Sequence, residues 1–144
     1  MPALNKQPIF TATPILDSLG LTPTENVNNT YNTSDATNIY TDSSTYGSMI
    51  TKITVNANGK LTAEVVSQRL DLYVFDSKGS KYNLLSSKFM IGIASLTSTD
   101  PVPSVVFEFT EGLLIPPGGK LALSSTSATP VTIIVEGGTY DQPA

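Results

Sequence analysis

From Ser48 to Glu136 apolar and polar residues repeatedly alternate at every second position, with Gly, Pro or Asn turns between the runs, a pattern that suits pleated strands and leaves no room for a long helix. Met49, Thr51, Ile53 and Val55 fall on one side of the first run, with Ile50, Lys52 and Thr54 on the other. That run stops at Asn56-Ala57-Asn58-Gly59. Asn-Gly tolerates the positive φ of a two-residue reversal, so Leu61, Ala63 and Val65 are expected on the returning strand of a hairpin. Arg69 to Phe75 places Leu70, Leu72 and Val74 opposite Asp71, Tyr73 and Phe75, and Asp76-Ser77-Lys78-Gly79 reads as a turn. Tyr82 to Leu85 and Lys88 to Ile93 are predicted as two short strands. Val105, Phe107 and Phe109 alternate with Glu108 and Thr110 up to Glu111-Gly112, and Leu113 to Ile115 runs into Pro116-Pro117-Gly118-Gly119, where the prolines bar a ladder. Lys120 to Ser125, Val131 to Glu136 and an edge strand near Thr37 to Thr41 complete a set of about eight short antiparallel strands. The fold class is therefore all-β, a single β-sandwich or jelly-roll-like domain. Ile53, Val55, Leu72, Val74, Phe107, Phe109, Leu121, Leu123, Ile133 and Val135 are expected to point inward.

At 144 residues the chain is the size of one domain, divided here into an extended N-terminal arm over 1–35 and a sandwich over 36–144. Pro2, Pro8, Pro14 and Pro23 deny the arm a helix and a central strand, because each lacks an amide donor and fixes φ. Ile9, Phe10, Ile15, Leu16, Leu19 and Leu21 nevertheless need cover. Either the arm folds back on its own sandwich, or these six form an interface with a neighbouring subunit.

Eight Lys plus Arg stand against twelve Asp plus Glu, with no basic run, so the electrostatic footprint of nucleic-acid binding is missing. No stretch approaches the roughly 20 apolar residues of a membrane helix, and the start MPALNKQPIF has no apolar signal region, so the chain is expected to stay in the cell that makes it unless something larger carries it out. Without Cys there is no disulfide framework, and the sequons at Asn28 and Asn32 read as polar loop.

His and Cys are both absent, which removes the commonest general base, the thiolate nucleophile and the preferred zinc ligands together. No catalytic residue, cofactor site or metal site is assigned. Asp71 with Glu108 is the one carboxylate pair to consider for glycosidase-type acid–base work, and both fit better as solvated residues on the polar faces of their strands. Asp76 to Gly79 offers one carboxylate where calcium takes six to eight oxygens. Tyr31, Tyr40 and Tyr46 are candidates for an aromatic platform under a sugar.

The segments SMITKITVNANGKLTAEVVSQRLDLYVFDSKGSKYNLL, PSVVFEFTEGLLIPPGGKLALSSTS and VTIIVEGGTYD, with PIFTATP before them, resemble a set of small uncharacterised proteins of tailed bacteriophages. The shared pattern falls on Thr51 to Thr54, Arg69 to Asp76, Gly112 to Leu121 and Val131 to Tyr140, all strand and turn punctuation without a catalytic signature. The Asn/Thr/Ser-rich stretch from Asn26 to Ser44 departs from it. The resemblance implies a non-enzymatic structural protein of the virion, made in the host bacterial cytoplasm. It would be a capsid decoration protein that binds the major capsid protein or other virion subunits and forms a homo-oligomer on the particle, with no nucleic acid, membrane or cofactor partner. A carbohydrate- or receptor-binding module of a tail or head fibre is the alternative.

Overall fold

A computed structural model describes residues 13–25, 36–58, 61–76 and 81–140. They form eight strands: β1 Thr13–Leu21, β2 Thr37–Thr41, β3 Ser48–Ala57, β4 Gln68–Asp76, β5 Lys81–Met90, β6 Ser104–Ile115, β7 Lys120–Ser125 and β8 Val131–Thr139. Two four-stranded antiparallel sheets result, ordered β1-β8-β3-β6 and β2-β7-β4-β5. Strands 1 and 8, 2 and 7, 3 and 6, and 4 and 5 each pair, as in a long hairpin rolled up on itself, which is the connectivity of a jelly roll.

The inner faces meet over one apolar core. Ile53, Val55, Leu72, Phe107, Leu121, Leu123, Ile133 and Val135 are all buried in it, while Val74 and Phe109 pack against its margin. The predicted inward set is thus recovered, because alternate residues of a strand share a face and the apolar phase enters the core together.

The Asn56–Gly59 hairpin is not formed. β3 pairs with β6 and β8, and the chain leaves it to cross to the other sheet. Leu61 and Thr62 sit in a turn, Thr62 at φ 67°, and Val65 makes only an isolated bridge to Ile93. A local turn signal yields here to two long-range partners that cover β3 on both edges. The segment is held by Thr62 N–H donating to the Leu96 carbonyl at 2.8 Å and Leu96 N–H to that of Ala63 at 3.0 Å. Gly92 belongs to this contact, since a Cβ there would strike the Val65 carbonyl oxygen.

The expected phase of β3 also fails at its start. Thr51 is an extra residue between Ile50 and Lys52, so Ile50 and not Met49 enters the core with Ile53 and Val55. A bulge of one residue inverts the alternation on either side of it. Opposite the same point β6 carries Phe109 to Gly112 against Thr51 alone, with Gly112 at φ 81°. The strand expected to end at Glu111-Gly112 therefore continues to Ile115. Tyr82 to Leu85 and Lys88 to Ile93 are likewise not two strands. They belong to β5, which absorbs an irregularity opposite Leu72 and Tyr73 and stops at Met90.

Within the expected arm, Thr13–Leu21 is a regular strand paired with β8 residue for residue. Pro14 is its only proline, and an edge strand needs donors on one side alone, so the proline density that excludes a central strand leaves room for this one.

Candidate functional site

Because β1 and β2 are the edge strands on the same side of the two sheets, the sandwich is open between them. Asp17 stands opposite Val135 on β8, whose side chain is buried in the core, so Asp17 shares the inward phase of β1. Across the opening, β2 contributes Tyr40 and leads directly into Asp42. Asp42 is fixed by its backbone, its N–H donating to the Gly119 carbonyl at 2.9 Å and its own carbonyl accepting from Gly118 N–H at 3.2 Å. Its Oδ1 accepts from Ser44 Oγ at 2.7 Å and from the Tyr40 hydroxyl at 3.4 Å. The same Tyr40 hydroxyl lies 2.8 Å from Ser48 Oγ, and the same Ser44 hydroxyl 2.8 Å from the Gly47 carbonyl. Each hydroxyl has one proton, so neither can serve both acceptors fully at once. The groove so formed encloses about 650 Å³ and is also lined by Pro14, Ile15 and Leu16.

Tyr40 has a pKa raised above 10.0, first by burial, with the Ser48 hydrogen bond opposing and the charges of Asp42 and Asp17 adding to the rise. A folded-state pKa above the unfolded one gives a stabilisation that is complete below the unfolded value and lost as pH rises through the folded one. Between about pH 9 and 11 the wild-type melting temperature should therefore fall more steeply than that of Tyr40→Phe, read from parallel thermal melts. Equal slopes would show that Tyr40 titrates as it does in the unfolded chain.

A second depression, of about 630 Å³, lies on the outer face of the first sheet beside the β3–β6 irregularity. Lys52 stands there in cross-strand register with Glu108 on one neighbour and Glu136 on the other. Opposite charges so placed make a mixed surface rather than a single-sign patch.

The pair Asp71 and Glu108 is not brought together: Asp71 is on β4 of one sheet and Glu108 on β6 of the other. Nor is Asp71 a solvated face residue. It is 1% exposed, Arg69 Nε and Nη2 donate to it at 3.0 Å, and Ser87 Oγ donates at 2.7 Å. The alternating polar position is right, but Tyr73 and Ser124 on the same outer face are buried too, so that face is covered and the carboxylate is held as a structural ion pair.

Of the tyrosines considered as a sugar platform, Tyr40 is part of the core cluster with its hydroxyl on Ser48, and Tyr46 is 40% exposed. Tyr31 lies outside the described residues, as do Ile9, Phe10 and both sequons. Among the expected interface residues, Ile15 and Leu21 pack against the protein's own core, whereas Leu16 is 73% and Leu19 37% exposed. The Asp17–Asp42 groove was missed in the sequence because its carboxylates lie on different sheets; the only local hint is an acid directly after a short strand. No protein-family model, curated protein or solved structure matches this chain.

Proposed function

We propose that the chain is a non-enzymatic structural protein of a tailed-phage virion, a capsid decoration protein that binds the major capsid protein or its own copies. The observation that carries this reading is the presence of exposed apolar side chains at both edges of the sandwich. At one edge Leu16 projects from the outer face of β1 and Leu19 from its inward face, and at the other Phe89 near the end of β5 and Ile91 just after it are 61% and 75% exposed. A subunit bonded to neighbours on two sides needs such surfaces, and single-sided patches would suit one partner only. Jelly rolls also build viral capsids, lectins and cupins, so the fold is compatible with this role without deciding it. The carbohydrate-binding alternative has less support, because Tyr40 is turned into the core.

Mass spectrometry of purified particles is the test of the assignment: a decoration protein is present in tens to hundreds of copies, scaled to the major capsid protein, and absence from particles overturns it. Leu16→Asp, on the outer phase of an edge strand, should leave the melting temperature unchanged and lower incorporation by about tenfold or more, the scale of a central apolar contact. Incorporation equal to wild type would move the interface to the β5 edge.

A further inference from the structure

The two open sides of the sandwich are treated differently. On the β5–β6 side a lysine from the domain itself reaches across: Lys88, opposite Leu70 and so in the inward phase, donates from Nζ to the Val106 carbonyl at 2.8 Å, with Phe107 beneath it at 5.8 Å. On the β1–β2 side the groove holds Asp17 and Asp42, and among the described residues no Lys or Arg lines it. Asp42 is 2% exposed, and its Oδ2 is buried without a hydrogen-bond partner among the described residues. Its Oδ1 draws only on two hydroxyl protons that Ser48 and Gly47 also claim. A buried carboxylate in that condition has lost its water without gaining a positive charge, which is costly until a cation arrives.

We propose that this groove is a docking slot for a Lys or Arg side chain of a partner protein. Its head would pair with Asp42 and Asp17, and its methylene stem would lie along the inward-phase Ile15 and the β1 backbone beside it. A long basic side chain has this two-part character, apolar in the stem and charged at the tip, and so does the lining. The volume of about 650 Å³ admits a side chain, whereas a bare metal ion would fill a small part of it. Calcium takes six to eight oxygens, several of them carboxylate, and no group of three or more acidic or other metal-ligating side chains exists among the described residues. A guanidinium supplies what Asp42 lacks, two parallel donors to one carboxylate. The partner's identity rests on the assembly reading above, but the slot belongs to the folded domain and can be probed without particles.

The probe is the capped tripeptide acetyl-Ala-Arg-Ala-amide, titrated into the isotope-labelled full chain and followed by amide chemical shifts. The norleucine tripeptide and calcium chloride at matched ionic strength serve as comparisons. Saturable shifts confined to Asp17, Tyr40 to Ser44 and Thr139, given by the arginine peptide and not the norleucine one, are expected. Asp42→Asn should weaken the response by about tenfold, the value of one charge-assisted hydrogen bond, and the exposed Asp17→Asn by a smaller factor should Asp42→Asn fail to fold. The proposal is overturned by shifts that never saturate, by undiminished binding in the variant that folds, or by calcium giving the same shifts at lower concentration than the peptide. Particles lacking the protein would remove the virion reading and leave this slot standing.

Discussion

Phe107→Ala should lower the free energy of unfolding by about 3 to 5 kcal/mol, the range for deleting a fully buried phenylalanine. Phe107 is 2% exposed in the middle of β6 and stands opposite Ile53, which is completely buried. β6 is an edge strand with a wide irregularity a few residues on, so the surrounding backbone has one hydrogen-bonded neighbour to hold it while the cavity forms. The ring also supports Lys88 where that side chain crosses to the Val106 carbonyl, and its loss loosens the closure of that side of the sandwich. Denaturant unfolding followed by circular dichroism reads the change. A loss below about 1 kcal/mol would mean that the site collapses onto the gap or that the ring contributes little to the core.

Arg69→Met should be comparably severe, about 3 to 5 kcal/mol, although Arg69 is itself partly exposed. The cost lies with the residue left behind: Asp71 is 1% exposed, and without the guanidinium only Ser87 among its described partners would remain on the carboxylate. Removing both charges together in Arg69→Met/Asp71→Leu should recover most of the loss, since a buried pair replaced by apolar groups of similar volume is often neutral or better. Arg69→Met as stable as wild type at pH 7 would show that water reaches Asp71.

The all-β class and the inward set were legible because they depend on a local rule, alternation, which each strand obeys by itself: Leu121, Leu123, Ile133 and Val135 could be assigned inward without knowing their neighbours. The failures share one cause. The phase of Ile50 depends on a bulge opposite β8 and β6, and the fate of Asn58-Gly59 depends on which strands claim the edges of β3. Pro14 was a sound argument against a central strand, but only the sheet order shows that Thr13–Leu21 has an edge to occupy.

What the sequence by itself determined was strand content, most of the core and the lack of His and Cys chemistry, since these follow from composition and from a periodicity read a few residues at a time. The tertiary structure alone decided that Asp71 is buried against Arg69, and that Asp17 and Asp42 share one groove. Burial and charge pairing are properties of what the rolled-up chain places on the far side of a residue. In a jelly roll, where β1 pairs with β8 and β2 with β7, that neighbour comes from the opposite end of the sequence.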